Sequence, residues 1–306
     1  MSLSRKGIIL AGGKGTRLSP LTIGVSKQML PVYDKPLIYY PLSTLMLGGI
    51  REFMIITTPE DLDSFRRLLG DGKSWGIEIQ YAIQKKAEGV AQAFLIAEDF
   101  IKDSSSALIL GDNLFYGNQL VDLMREADKF RDSATIFTYP VKDPENYGII
   151  KFDNKGNPKQ IIEKPKDFVS RFAITGLYYY DKTVVDKAKR IKPSERGELE
   201  ISCINQLYLN EEKLKIIQFG RGLSWLDTGS IDSLQEAGSY IKTIEHRQGL
   251  KIGCPEEIAW RLGWINDNQL ENLAASLVKS GYGDYLKQIL NEKYLIDNYF
   301  IKYRQI

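Results

Sequence analysis

The residues best suited to chemistry stand close to the start of the sequence. A glycine-rich turn, Gly12-Gly13-Lys14-Gly15-Thr16, follows the apolar run "GIILA" and is trailed by Arg17 and, ten positions later, by Lys27. Glycines let a backbone approach a ligand closely and turn several N–H groups on one anion. Arg17 adds a planar fork that matches two phosphate oxygens, and Lys27 adds a compact charge. The string matches neither familiar phosphate loop: G-x-G-x-x-G lacks its third glycine here, and no G-x-x-x-x-G-K-[ST] occurs. A plain turn with solvated cations satisfies the same residues, so the loop alone does not decide.

Two acidic residues extend the phosphate chemistry. Asp112 ends the apolar run "ALILG", and Asp227, in "WLDTG", precedes a long helical pattern. Two carboxylates with phosphate oxygens and water make a hard octahedral site, the usual setting for Mg²⁺. Each has a structural alternative, a turn at Asp112 and a helix cap at Asp227. Glu163 and Lys164, adjacent in "IIEKP", face opposite sides of an extended strand, so an acceptor and a cation would point to two different places. A solvated pair ahead of a proline turn is the alternative. His246 is the one histidine, set between Glu245 and Arg247 in a helical pattern, and reads as a solvated surface residue. Ser26 has no base partner, which argues against a covalent intermediate.

These residues need a scaffold, and the chain has the means to build one. With 306 residues, 43% of them hydrophobic, it can bury a large core without staples. Basic and acidic residues nearly cancel, 41 against 39, so no nucleic acid or membrane surface is expected as partner and any anion must be held by local cations. Two cysteines, Cys203 and Cys254, are too few for a disulfide framework or a thiolate metal site and fit a reducing cytoplasm. The apolar run near the start is too short for a signal peptide, and nothing approaches a membrane span. The expected location is the cytoplasm.

"GIILA", "EFMIITT" and "ALILGD" read as buried parallel strands, with helices between them at residues 40–48, 60–69 and 90–100. This alternation predicts a doubly wound sheet over about residues 5–140. From about Ala134 the strands "ATIFTYPV", "GIIKFD", "KQIIEK" and "FAITGLYYYD" are separated by turns. In the last of these, alternation sends Tyr178 and Tyr180 to one face and Tyr179 to the other. Helices follow at about 182–190 and 199–211, then the strand "KLKIIQF" and a helix over about 231–247. Beyond Pro255, Leu270, Leu273, Leu277 and Val278 recur at helical spacing. The role of the aromatic tail "KYLIDNYFIKYRQI" is left open.

The stretch "GGKGTRLSPLTIGVSKQMLPVYDKPLIYYPLSTLM" is followed in order by "GVAQAF", "LILGDNLFYGN", "EKP", "TGLYYYD", "RGELEIS", "WLDTG" and "CPEEIAWR". On these blocks the chain resembles the sugar-1-phosphate nucleotidyltransferases to about Tyr285, and most of all those that join dTTP to glucose 1-phosphate. The resemblance implies an α/β fold: a Rossmann-like core with a mostly parallel mixed sheet, sugar-binding β insertions and a C-terminal helical region. Residues 1–250 would form the core, its nucleotide-binding part at about 1–140 and its sugar-binding part at about 141–230. Residues 251–306 would form an interface or regulatory region. The implied reaction is attack by glucose 1-phosphate on the α-phosphorus of dTTP with Mg²⁺, without a covalent enzyme intermediate, as a first step toward deoxysugars such as dTDP-rhamnose.

What the resemblance implies for single residues is specific. Leu10, Gly12, Gly13, Gly15, Thr16, Arg17, Lys27, Gln28 and Asp112 would line the nucleotide, with Gln84 and Gly89 at its base. Arg17 would grip the departing phosphates and Lys27 would bridge phosphate oxygens. Asp112 and Asp227 would hold the metal. Lys164 would bind the sugar phosphate and Glu163 the sugar hydroxyls, with Tyr147, Gly148, Ile174 and Tyr178 completing that pocket. Arg17, Lys27, Asp112, Lys164 and Asp227 form the implied catalytic set. Prolines usual in the base loop are replaced in "QKKAEGVAQAF", Asn118 stands where a histidine is usual, and Cys203 where an acid is common.

The same resemblance implies a homotetramer with a second nucleotide site lined by Gly117, Glu257, Ile258 and Arg261. Packing of Trp260 and Trp264 as a plain helical cap is the simpler reading of that region. Rival functions are a relative using UTP or another sugar phosphate, and a non-catalytic regulator on the same fold. Thymine differs from uracil by one methyl group, worth about 1–3 kcal/mol in an apolar pocket. A regulator has no need of the full catalytic set. A nicotinamide dehydrogenase is disfavoured by the missing third glycine.

Overall fold

The computed structural model describes residues 4–292. The aromatic tail that starts at Lys293 lies outside them.

A nine-stranded mixed sheet organises the molecule. Along its main path the strands run Pro158–Glu163, Gly148–Phe152, Phe172–Tyr180, Ser106–Leu110, Lys6–Ala11, Glu52–Thr57 and Glu78–Ile83; Ala134–Pro140 pairs with Phe172–Tyr180, and Leu214–Gln218 with Ala134–Pro140. The strands Lys6–Ala11, Glu52–Thr57, Glu78–Ile83 and Ser106–Leu110 pair in parallel, whereas Phe172–Tyr180 runs antiparallel to its neighbours. The nucleotide and sugar parts expected from the sequence thus share one sheet.

Both faces of this sheet are buried, which is why its central strands read as unbroken apolar runs. Ile9, Ile55, Ile109, Leu177 and Tyr179 pack on one face, and Ile8, Ile56, Leu108, Tyr178 and Tyr180 on the other. The tyrosine alternation is therefore as expected, and Tyr180 anchors its hydroxyl by donating to Asn205 Oδ1 at 2.5 Å. The helix Tyr39–Leu47 covers the first face. The second is covered by Gln92–Ile96 and Glu98–Ile101, a break in what the sequence reads as one helix over 90–100.

Two small pairings matter more for the site than the large sheet. Leu223–Asp227 runs antiparallel to Asn113–Gly117, so the strand after Asp112 pairs with the strand that ends at Asp227. A two-rung hairpin, Pro31–Val32 with Lys35–Pro36, follows the short turn Lys27–Met29. Its Lys35 is buried, donating to Glu245 Oε1 at 3.0 Å and to the Ile252 carbonyl at 2.9 Å; Asp34 binds both Lys35 and Lys251.

The long helix Ile231–Gln248 begins at a capping box between Ser230 and Ser233. The C-terminal helices Pro255–Arg261, Asp267–Ser276 and Gly281–Asn291 bury Ala259, Leu270, Ala274, Leu286 and Ile289 in the same cluster as Ile9 and Trp75. Leu277 and Val278 do not continue the apolar stripe: the helix ends at Ser276 and both are exposed. Among the described residues no helix is long and apolar enough to cross a membrane.

Candidate active site

The glycine loop leaves the strand Lys6–Ala11 at its carboxyl end, where open α/β sheets bind ligands. Gly15 has φ +60°, the left-handed region that glycine tolerates, and its carbonyl accepts from Thr22 Oγ1 at 2.8 Å. Thr16–Leu18 forms one tight turn that buries Leu18 and leaves Thr16 and Arg17 exposed. Lys27 and Gln28 are buried. Leu10 and Gly111 approach closely, the Gly111 N–H donating to the Leu10 carbonyl at 2.9 Å.

Asp112 and Asp227 come together because Asp227 stands opposite Asn113 in the two-stranded ladder. Thr228 clamps the junction, its hydroxyl donating to the Asp112 carbonyl at 2.8 Å. Asp112 accepts from Lys27 Nζ at 2.6 Å on Oδ2 and from Asn113 Nδ2 at 2.9 Å on Oδ1. Arg17 reaches the same turn, since a Cβ on Gly229 would lie 3.2 Å from an Arg17 nitrogen and 3.2 Å from Asp227 Oδ1. Burial, and then the Asp112 carboxylate, push the Asp227 carboxyl up to about 6, against the pull of Lys27, Arg17 and the Gly229 N–H.

Two crowded carboxylates are relieved by a doubly charged cation, and hard oxygen donors suit Mg²⁺, so the residues present fit that ion. Among the described residues no group of three or more His, Cys, Asp or Glu side chains could hold a metal by itself. The ligand shell around Asp112 and Asp227 would need substrate oxygens and water to be complete, as is usual for Mg²⁺.

Tyr147 joins this cluster to Glu163 and Lys164. Its ring packs on Trp225 at 5.1 Å between centroids, and burial together with Asp227 raises its hydroxyl to about 12. Its carbonyl accepts from the Lys164 N–H at 3.0 Å. Glu163 pairs with Gly148, whose missing side chain leaves room for the Glu163 carboxylate 3.1 Å from where a Cβ would sit. Burial and Glu200 raise the Glu163 carboxyl. The strand alternation expected for Glu163 and Lys164 stops one residue early: the strand ends at Glu163, and Lys164 has φ 43°, so a backbone bend and not the pleat aims its exposed side chain. Ile174 and Tyr178 are almost wholly buried, and Tyr178 stacks on Tyr180 with centroids 6.2 Å apart.

Gln84, expected at the base, is buried against Gly12, where a Cβ would meet Gln84 Oε1 at 2.2 Å. Gly89 packs tightly against a second loop. A Cβ there would strike the Leu199 backbone at 2.4 Å, and φ is +106°. Gly89 therefore lets the two loops interlock, with Leu199 N–H donating to the Glu88 carbonyl at 2.6 Å and Ala91 N–H to the Leu199 carbonyl at 3.0 Å.

Two residues of the site escaped the sequence reading. Asn113 is buried, and its Oδ1 accepts from the Trp225 indole at 2.6 Å and the Gly176 N–H at 3.2 Å, so its amide is fixed as it donates to Asp112. Arg196 borders the same recess as Glu163 and Lys164 and pairs with Glu200 at 3.1 Å. Asn113 had a signal in its place directly after Asp112; Arg196 had only the quoted block "RGELEIS".

Gly117, Glu257, Ile258 and Arg261 do meet, in a cavity of about 460 Å³ bordered also by Tyr116, Asn118 and Lys251. Arg261 Nε donates to Glu257 Oε1 at 2.9 Å, Tyr285 donates to Glu257, and the Arg261 guanidinium lies 5.0 Å from the Trp260 ring centre. This cavity opens at the far end of the strand that begins next to Asp112.

A glycine loop on a parallel strand, joined to paired aspartates and, through Tyr147, to Glu163 and Lys164, has the make-up of a nucleotide-handling enzyme. The chain belongs to the nucleotidyl transferase family, whose sequence profile matches residues 6–243. It is similar to the glucose-1-phosphate thymidylyltransferase of Mycolicibacterium smegmatis, with 55% identity over 288 residues, 94% of this chain and 100% of that one. The enzyme of that name from Neisseria meningitidis is 53% identical over 287 residues, again 94% of this chain and 100% of the relative. Among solved structures, one from Bacillus anthracis, assigned that name provisionally and holding sucrose, superposes with a TM-score of 0.72 at 38% identity, covering 78% of this chain and 95% of its own. A UDP-glucose pyrophosphorylase with UDP-glucose gives a TM-score of 0.69 at 25% identity over 79% of this chain and 100% of that one.

Proposed function

We propose that this nucleotidyltransferase moves the dTMP group of dTTP onto glucose 1-phosphate, forming dTDP-glucose and releasing pyrophosphate. The observation that carries the reading is the cluster of Asp112, Asp227, Lys27 and Arg17, linked by Tyr147 to Glu163 and Lys164. One side of Tyr147 is suited to a triphosphate and the other to a phosphorylated sugar. Relatives more than half identical over nearly all of this chain carry the matching name.

In this reading an oxygen of the sugar phosphate attacks the α-phosphorus in line, a P–O bond forms, and the bond to the β-phosphate breaks. Both partners are anions, so the protein's task is placement and charge neutralisation. Arg17 holds the departing phosphates, Lys27 bridges phosphate oxygens, and Lys164 holds the sugar phosphate. Glu163 accepts from the sugar hydroxyls, beside Tyr147 and Gly148. Gln84 and the loop at Gly89 receive the base. Mg²⁺ held by Asp112 and Asp227 would supply Lewis acidity at the α-phosphate. No enzyme nucleophile is assigned.

The cavity at Gly117, Glu257, Ile258 and Arg261 is assigned to a second nucleotide, with the chain a cytoplasmic homotetramer. The Arg261–Trp260 pair supports this, as a guanidinium beside an aromatic ring suits stacking and phosphate contact.

The deciding experiment offers dTTP, UTP, dCTP, ATP and GTP in turn with glucose 1-phosphate or galactose 1-phosphate and separates the nucleotide sugars formed. dTDP-glucose as the main product is expected. UDP-glucose alone would move the assignment to the uridylyl relatives, and no product at all would sink it.

A further inference from the structure

The hydrogen bonds around the Gln84 carboxamide have a direction, and its origin lies eight residues along the chain. Gln84 Nε2 donates to Gln92 Oε1 at 2.6 Å, and Gln92 Nε2 donates to Glu88 Oε2 at 2.7 Å. The Glu88 backbone N–H also donates to Gln92 Oε1, at 3.3 Å. A carboxylate accepts and does not donate, and a backbone N–H only donates. Glu88 therefore fixes Gln92 from both sides: its amide nitrogen must face the carboxylate, and its oxygen must face the N–H and Gln84.

The order passes on. With Gln92 Oε1 fixed as an acceptor, Gln84 has to present its nitrogen there; turned over, it would set two carbonyl oxygens 2.6 Å apart. Gln84 Oε1 is left on the opposite side, over Gly12. The loop that carries Glu88 is itself clamped, because Leu199 N–H donates to the Glu88 carbonyl and Gly89 lets the two backbones touch.

The geometry points to Glu88 and Gln92 as positioning residues that set which edge of Gln84 meets a nucleobase, and so select thymine or uracil over cytosine. This rests on the base-binding role proposed above for Gln84. Thymine and uracil carry an N3–H donor between two carbonyl oxygens. A fixed Oε1 accepts from that N3–H, and the second Nε2–H is free to donate to a neighbouring carbonyl. Cytosine offers an N3 lone pair and an amino group, the reverse pattern. A freely turning amide would serve both bases; an amide held by Glu88 serves one. Sites that hold a polar edge in one sense reject the mismatched partner strongly, because a buried group is left unpaired.

The test uses Gln92→Met, which removes the amide at similar volume, and Glu88→Gln, which keeps the loop but lets the chain run either way. Glu88→Asp keeps the acceptor-only carboxylate. Each full-length enzyme is assayed for kcat/KM with dTTP and dCTP beside glucose 1-phosphate, with dissociation constants of both nucleotides from titration calorimetry. Gln92→Met and Glu88→Gln are expected to lower the preference for dTTP over dCTP about tenfold, with the KM for glucose 1-phosphate unchanged. Glu88→Asp should stay near the parent. Equal losses with both nucleotides, or an unchanged preference, would overturn the inference by leaving these residues only a structural part. A parent enzyme that accepts neither dTTP nor UTP would overturn the pyrimidine reading itself.

Discussion

Asp227 and Asn113 face each other across the two-stranded ladder Leu223–Asp227 and Asn113–Gly117, and this pairing sets the spacing of the two aspartates. Asp112 precedes Asn113, so the ladder delivers two carboxylates from distant parts of the chain to one place. Asp112→Asn and Asp227→Asn are each expected to abolish most Mg²⁺-dependent turnover, and the double variant to lose little more, because the proposed roles put both groups on one ion. Turnover against Mg²⁺ concentration checks this. Activity of the double variant in excess chelator would rule the metal role out.

Asn113 should matter for both folding and turnover. Asn113→Ala strands the Trp225 indole and the Gly176 N–H and frees the Asp112 carboxylate. A buried donor left without a partner costs about 1–3 kcal/mol. Urea unfolding should show a loss in that range or above, and turnover should fall in the fraction that remains folded. Parent-like stability would show that the amide is not a structural keystone.

Arg17→Ala and Lys164→Ala should separate the two substrates, since the cations are assigned to different ones. Arg17→Ala is expected to weaken dTTP binding and to cut turnover on the order of a thousandfold, the cost of one lost charge contact in a transition state. Lys164→Ala should raise the KM for glucose 1-phosphate and leave dTTP affinity nearly intact. Calorimetric titration with each substrate distinguishes them; the opposite pattern reverses the assignment.

Gly12→Ala and Gly13→Ala make a controlled pair. A Cβ at Gly12 meets Gln84 Oε1 at 2.2 Å, while one at Gly13 meets nothing within 4 Å. Gly12→Ala should displace Gln84 and raise the KM for dTTP, and Gly13→Ala should melt at the parent temperature. Equal behaviour of the two would mean that Gln84 gives way freely.

Glu256 gives a stability prediction with a sign. Burial raises its carboxyl above the usual carboxylate range, despite the Tyr282 hydroxyl donating to Oε2 at 2.7 Å. A raised folded value stabilises the protein at low pH, and that contribution is lost as pH rises through it. Glu256→Gln, which mimics the protonated side chain, should therefore gain relative to the parent between mildly acid and neutral pH. Urea midpoints across that range check it, and a constant difference would exclude the titration.

What could be read from the sequence depended on how local the cause was. Ile8 and Ile9, Ile55 and Ile56, and Leu108 and Ile109 are neighbours that point to opposite faces and are buried on both, so the central sheet is visible in short apolar runs. The types of Arg17, Lys27, Asp112 and Asp227 announced phosphate chemistry, but their meeting did not show. "NLFYG" carries strand-favouring aromatics, but its partner lies more than a hundred residues on, where no local pattern points to it. Lys164 was placed by a left-handed backbone angle that the strand pattern concealed. The close approach of Leu199 to Gly89 is set by tertiary structure alone, so nothing in the loop's own residues announces it.

The C-terminal helices share their apolar cluster with Trp75 and Ile9, and the Trp264 backbone lies 2.6 Å from where a side chain on Gly76 would begin. Lys35, whose hairpin follows Lys27, takes its acceptors from Glu245 and Ile252. Such a segment is not interchangeable cargo. A gene fusion that swapped it for another tail would have to rebuild one wall of the sheet's core, so the segment and the sheet it covers can change only together.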